Sequence, residues 1–278
     1  LEIIKTIEEV KKIIGKWKSE DKTIGFIPTM GYLHEGHQSL MNAASENDKK
    51  VVSIFVNPTQ FAPNEDLAKY PRDLERDIEI CNEENVDLLF VPEVLEMYND
   101  NFSTYINVEN LSENLCGESR PGHFRGVCTV VNKLLNIVKP NKAYFGQKDA
   151  QQLIIIRKMV RDLNMDVDII SCPIIREEDG LAKSSRNKYL DTEERKAALI
   201  LNSSLKKAFK EIQCGEKNPT VIINNIKASI KSEPLAKIDY VKIVDLDKIT
   251  DIPEIKSPAL VAIAVKIGKT RLIDNFIV

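Results

Sequence analysis

Two of the chain's three histidines, His34 and His37, lie in one short stretch, Pro28-Thr29-Met30-Gly31-Tyr32-Leu33-His34-Glu35-Gly36-His37. An apolar strand-like run, 24–27, precedes it, and a helix-like run, 39–47, follows. Gly31 and Gly36 let backbone approach a ligand closely. The free N–H groups and positive dipole end of the following helix suit an anion such as a polyphosphate. A plain surface turn with incidental histidines is the competing interpretation, and the strand–turn–helix context weighs against it.

Two further segments have the same character. Gly146-Gln147-Lys148-Asp149 follows a strand-like run at 143–145 and opens a long helix through Gln151 and Gln152, so Lys148 sits where a phosphate-binding lysine would. Lys183-Ser184-Ser185-Arg186 combines two cations with two hydroxyls, a composition that suits an anion loop or a charged surface linker. The stretch 117–126, with Arg120, His123 and Arg125 among glycines, suits anion closure or a solvated loop. A zinc site is the rival chemistry for His34 and His37. It needs at least three protein ligands, and the remaining histidine, His123, is remote in sequence, which leaves a carboxylate to complete the set.

The elements that must position these groups read as strands alternating with helices. Residues 3–17 carry apolar side chains at three- and four-residue spacing, a helix period. Strands are expected at 24–27, 51–56, 87–91, 104–108, 143–145 and 167–175. Helices are expected at 39–47, 73–85, 127–138 and from 146 to about 164. That alternation predicts an α/β fold: a Rossmann-like, mainly parallel sheet with helices on both faces, and ligands at the strands' C-terminal ends. The His turn and the loop Asn57-Pro58-Thr59-Gln60-Phe61 both leave such ends. Past Asn187 the pattern changes. Asp191 with Glu194 forms a capping box for a helix to about 213, and Asn218-Pro219 caps a second helix to about 232. Strands follow at 239–244, 260–267 and 270–278, the last two joined at Gly268-Lys269. The expected organisation is a nucleotide- and substrate-binding domain, 1–175, and a smaller α+β domain, 176–278, closing over the ligand cleft.

With 278 residues, 43% apolar and 29% charged, the chain fits a folded globular protein. A formal net charge of −3 gives no global basic footprint for nucleic acid. The longest apolar run, 259–265, is far too short to span a bilayer, and no signal-peptide pattern opens the chain. Five scattered cysteines suit a reducing compartment, so a cytoplasmic location is expected. No Gly-x-Gly dinucleotide fingerprint occurs, and Gly268-Lys269-Thr270 lacks the first glycine of a P-loop.

These motifs, in this order, resemble the pantothenate synthetases (pantoate–β-alanine ligases) of the nucleotidylyl-transferase group. The match includes Pro28 to His37, Phe55 to Phe61, Tyr70-Pro71-Arg72, Arg120 to Phe124, Gly126-Val127, Phe145 to Asp149, Gln151-Gln152, Asp179 to Ala182, Ser184 to Asn187 and Tyr189-Leu190. The resemblance implies that ATP and pantoate form pantoyl adenylate and pyrophosphate. The amine of β-alanine then yields pantothenate and AMP, with Mg2+ accompanying ATP and a homodimer as the assembly. It assigns ATP binding to Met30, Gly31, Tyr32, Leu33, His34, Glu35, Gly36, His37, Gly146, Gln147, Lys148, Asp149, Ile175, Lys183, Ser184, Ser185 and Arg186. His37 is the family's active-site residue, and His34, Lys148 and Arg186 act with it on the leaving pyrophosphate. Gln60 and Gln152 hold pantoate, Gln60 also touches β-alanine, and Asp77 matches an acidic position near magnesium. Lys183 departs from the methionine found in many members. A simple adenylyltransferase, a non-catalytic nucleotide-binding regulator and a tRNA-binding synthetase are the alternatives. The Asn57–Phe61 and Gln151-Gln152 motifs, the retained cations and the absence of a nucleic-acid module weigh against them in turn.

Overall fold

The computed structural model describes residues 1–63 and 65–278. Six parallel strands form the first sheet: β1 (Glu2–Ile4), β2 (Ile24–Thr29), β3 (Lys49–Ile54), β4 (Leu88–Phe90), β5 (Lys142–Gly146) and β6 (Asp168–Cys172), in the order β1-β4-β3-β2-β5-β6. Three antiparallel strands, β7 (Ala236–Asp245), β8 (Ala259–Ile267) and β9 (Thr270–Ile277), form the second. Helices α1 (Ile7–Ser19), α2 (Glu35–Ala43), α3 (Leu74–Glu83), α4 (Val94–Met97), α5 (Cys116–Ser119), α6 (His123–Val138) and α7 (Ala150–Asp162) belong to the first part of the chain. Helices α8 (Thr192–Ala197), α9 (Leu199–Gln213) and α10 (Pro219–Lys231) come after it.

Successive strand side chains point to opposite faces, and the parallel strands bury both. In β2, Ile24 and Phe26 join one core and Ile27 the other; in β4, Leu88 and Phe90 face one way and Leu89 the other. The larger core is closed by α1, α6 and α7, the smaller by Leu40 and Met41 of α2 and Ile80 and Cys81 of α3. In β8, Val261, Ile263, Val265 and Ile267 pack on Leu201 and Leu205 of α9 and Ile222 and Ile226 of α10. Leu260 and Ala262 of the same strand turn to the first sheet's core. One strand thus welds the two parts of the chain.

Several boundaries depart from the sequence expectations. Residues 2–4 form an edge strand paired with β4 rather than the start of a helix. A three-residue strand carries too little pattern to separate from the helix period beside it. No strand forms at 104–108, where the Ile106 N–H instead meets Thr129 Oγ1 of α6 at 3.0 Å. The helix expected from Asp191 breaks at Ala198 into α8 and α9, although the Asp191–Glu194 capping box is present. Helix α6 starts at His123, four residues before the expected start, so Arg120 and His123 belong to a folded helix entrance.

Strand β2 has β3 on one side and β5 on the other, and the sheet's connections diverge there. The crevice past the C-terminal ends of β2 and β5 is the topological switch point, where open α/β sheets bind ligands. Its floor is set by one close approach. A Cβ built on Gly126 of α6 would lie 2.4 Å from the Thr59 carbonyl oxygen and 2.7 Å from Gln60 Cα. Both neighbours are backbone and cannot swing aside. Gly126→Ala is therefore expected to cost about 1–3 kcal/mol through forced backbone displacement. A lower midpoint of denaturant unfolding checks this; an unchanged midpoint would show that the 58–60 turn does not rest on α6.

Candidate active site

The His turn is held from below. Asp77 of α3 is 1% exposed, and its two carboxylate oxygens accept the Tyr32 and Leu33 N–H groups at 2.8 and 2.7 Å. Gly31 takes φ +81°, and a Cβ there would meet Ile54 Cγ2 at 2.8 Å. Leu33 is fully buried in the smaller core. This departs from the metal role expected for Asp77: both oxygens are already spent on backbone donors. Among the described residues no group of three or more His, Cys, Asp or Glu could hold a metal ion. The zinc alternative fails on the same ground.

Helix α2 begins at Glu35, not near 39, because the two histidines cap it reciprocally. His34 Nδ1 accepts the Gly36 N–H at 3.1 Å, and His37 Nδ1 accepts the His34 N–H at 3.2 Å. An N-cap is ordinarily Ser, Thr, Asp or Asn, so no sequence rule marks this one. An imidazole that accepts at Nδ1 and is neutral carries its proton on Nε2. Burial, helped by the Lys148 and Lys183 charges, pushes His34 down to about 4, and burial beside His34 pushes His37 down to about 3. The pair therefore presents two neutral Nε2–H donors, where the sequence suggested cations.

Around the pair is a cleft of about 230 Å³. Its lining includes Met30, His34, Gly36, His37, Gln60, Gly146, Lys148, Asp149, Gln152, Ile175, Lys183, Ser184, Ser185 and Arg186. The three segments singled out by sequence thus converge. Gly31, Tyr32, Leu33, Glu35, Gln147 and Asp77 do not line it and form its support. Beyond Lys148, Gln152 and Arg186 it opens into a wider cleft of about 1230 Å³ reaching Arg271 and Asn275 of β9.

Most cations here are already matched. Lys183 Nζ lies 2.7 Å from Glu35 and 2.9 Å from Glu177, and the hydrogen bond to Glu35 raises its pKa. Arg186 forks onto Asp66 with two contacts of 3.1 Å, and Arg120 pairs with Glu65 at 2.6 Å. Lys148 makes no ion pair among the described residues.

Gln60 is placed by residues the motif reading passed over. Asn57 Nδ2 donates to Gln60 Oε1 and to the Gly126 carbonyl, each at 3.1 Å, while Asn57 Oδ1 accepts the Tyr98 hydroxyl at 2.9 Å. His123, pushed down to about 4 by burial and the Arg120 charge, contacts the Gln60 carbonyl through Nδ1 at 2.8 Å. Tyr70 reaches Ser185 at 3.3 Å, joining the 65–70 loop to the 183–186 loop. Asn57 and Tyr70 stood inside recognised motifs; Asp66 gave no sequence signal.

All three histidines have folded pKa values below the unfolded value of 6.5. The unfolded state then binds more protons in that interval, so their contribution to stability is full above about 6.5 and falls as pH drops toward 4. Nitrogen-15 spectra are expected to show Nε2–H tautomers for His34 and His37, with no imidazole titrating above pH 5. A midpoint near 6.5 for either would break the capping arrangement.

Comparison with known proteins agrees with this geometry. The family model described as pantoate-beta-alanine ligase matches residues 2–277. A pantothenate synthetase of Clostridium botulinum (strain Okra / Type B1) is 60% identical over 277 residues, covering 99% of each chain. The crystal structure of pantothenate synthetase from Thermus thermophilus superposes with a TM-score of 0.95 at 41% identity, covering 99% of each chain. A pantoate-beta-alanine ligase from Francisella tularensis, crystallised with beta-gamma ATP and beta-alanine, superposes at 0.80 with 38% identity, covering 100% of this chain and 97% of that one. Matched end to end by the family model and by relatives at this identity, the chain belongs to the pantoate–β-alanine ligase family.

Proposed function

We propose that this enzyme condenses pantoate with β-alanine through a pantoyl-adenylate intermediate, with the triphosphate of ATP at the His turn. The observation that carries the reading is the convergence of two Nε2–H donors, the α2 N-terminus and the unpaired Lys148 on one cleft beside Gln60 and Gln152. A carboxylate is nucleophilic at neutral pH, so its attack on the α-phosphate needs no general base. It needs charge on the departing pyrophosphate to be stabilised by donors fixed in advance. His34, His37 and Lys148 are such donors. Arg186 offers phosphate oxygens the same fork it gives Asp66. Gly146, Asp149, Ile175, Ser184 and Ser185 line the nucleotide's path. Gln60 and Gln152 both donate and accept, which suits pantoate's hydroxyls and carboxylate, with Gln60 also meeting β-alanine.

Magnesium enters as the complex with ATP. The ion is commonly held by phosphates, waters and one or two carboxylates, so no all-protein cage is required. We place the domain division at 175/176, where the second core begins soon after, at Leu181. A cytoplasmic homodimer is the setting we propose; among the described residues no helix is long and apolar enough to cross a membrane.

The test is a set of three rates. The wild-type enzyme is expected to exchange label between pyrophosphate and ATP with pantoate present and β-alanine absent, and to form AMP rather than ADP. His37→Ala should depress exchange and overall synthesis together, by about 10²–10³-fold for a lost transition-state donor. Amide formation from supplied pantoyl adenylate should fall far less. An equal fall in that second half-reaction would remove the histidine from the adenylation step, and ADP formation would remove the adenylate.

Lys183 is expected to matter through its ion pairs more than through phosphate. Lys183→Met should lose less than about tenfold in kcat/KM, roughly 1.4 kcal/mol. A loss as deep as that of Arg186→Ala would make Lys183 a required phosphate ligand.

A further inference from the structure

Strand β9 carries two adjacent buried polar residues, Asp274 and Asn275, 2% and 4% exposed. Asp and Asn are disfavoured inside strands, and burying them without partners is costly. Each has a specific use. The Asn275 side chain makes two contacts, 3.1 Å to the Gln147 carbonyl and 2.9 Å to the Lys148 carbonyl. Both partners are acceptors, so the contacting atom is the amide nitrogen and both of its N–H groups donate. Its oxygen is left without a partner among the described residues. Asp274 takes Arg176 in a fork, at 2.7 and 2.9 Å, and Arg176 donates onward to the Gly180 carbonyl at 3.2 Å. One dipeptide of the C-terminal sheet thus grips both the turn that carries Lys148 and the base of the loop that carries Lys183 to Arg186.

The Lys148 turn has little else to fix it. Residues 147–149 form a single 3-10 turn without a side-chain cap, and α7 behind it has none either. A 3-10 turn is a weakly held element. Asn275 occupies the last two carbonyls before Asp149 and so sets the plane from which the lysine side chain departs.

We infer that Asn275 is a positioning residue for Lys148 in the adenylation step, acting from the C-terminal sheet without touching substrate. The inference rests on the assignment of Lys148 to the triphosphate made above. It also makes the contact between the two parts of the chain a functional one.

A double-mutant cycle read by affinity tests it, using a β,γ-non-hydrolysable ATP analogue as the probe. Asn275→Leu keeps the volume and removes both donors. In the otherwise normal enzyme it is expected to weaken the analogue about tenfold, and in a Lys148→Ala background less than about twofold, because residues acting as a unit are not additive. KM for ATP should rise and KM for β-alanine should stay, since β-alanine enters after pyrophosphate has left. Equal weakening in both backgrounds, or none in the normal one, overturns the inference. An unchanged affinity in Lys148→Ala alone overturns the Lys148 assignment instead, so the two failures are distinct. Asn275→Ser, too short to reach either carbonyl, is the second variant if the leucine form does not fold, and the same pattern is expected of it.

Discussion

The site depends on a cap made of two imidazoles. Helix α2 must begin at the end of β2, and its first amides need acceptors. His34 and His37 supply them through Nδ1, which an imidazole can do only when it is neutral. Burial enforces the same state. The structural task and the chemical task therefore select one tautomer. With Nδ1 committed inward, the only proton each ring offers points outward from Nε2. A protonated ring would lose the cap and present a second charge beside Lys148, so the uncharged pair lets the turn hold its shape with a single unpaired lysine at its edge.

The rest of the fold serves that turn. Asp77 anchors it from α3, and the glycine at position 31 permits the close seating that the anchor requires. The order of the strands then decides which loops can reach it. Because β5 lies beside β2, Lys148 emerges next to the histidines. The segment after β6 folds back through the Arg176–Ala182 bridge and brings Ser184 to Arg186 over the same crevice. Gly126 admits the 58–60 turn against α6, and Asn57 fixes Gln60 within it. Each approach is set by a backbone contact that admits no larger side chain or by a buried polar residue with named partners.

Much of this was legible in the sequence. The period-2 and period-3.6 runs are long enough in β2, β3, β8, α6 and α7 to reveal an α/β sheet followed by an α+β segment. Glycine and lysine at strand ends marked the three loops that converge. What the sequence hid has a common cause. Strand β1 is too short for a period to register, and the helix start at Glu35 uses histidine in a role that capping rules give to smaller residues. The partners of the cations are also hidden: Asp66 for Arg186, Glu35 and Glu177 for Lys183, Glu65 for Arg120. Such pairs form between residues up to 120 positions apart, and surface composition does not announce them. Asp77 was recognised as important but for the wrong chemistry, since a motif shows a carboxylate's position in sequence and not what its oxygens already hold.

That pairing bears on how the cleft would treat a polyphosphate. An arginine or lysine buried without a counter-ion would carry a large desolvation cost, and a carboxylate partner offsets it before a nucleotide binds. A phosphate group that takes the fork of Arg186 must displace Asp66, so its net gain in the ground state is the difference between two similar ionic contacts. Affinity for the nucleotide is held down accordingly. The same cation gains more when charge builds on the departing pyrophosphate than when the triphosphate is intact, because Asp66 competes equally in both states and cancels. Paired cations around one unpaired lysine thus bias the site toward the separated charge of the adenylation step over tight storage of its nucleotide.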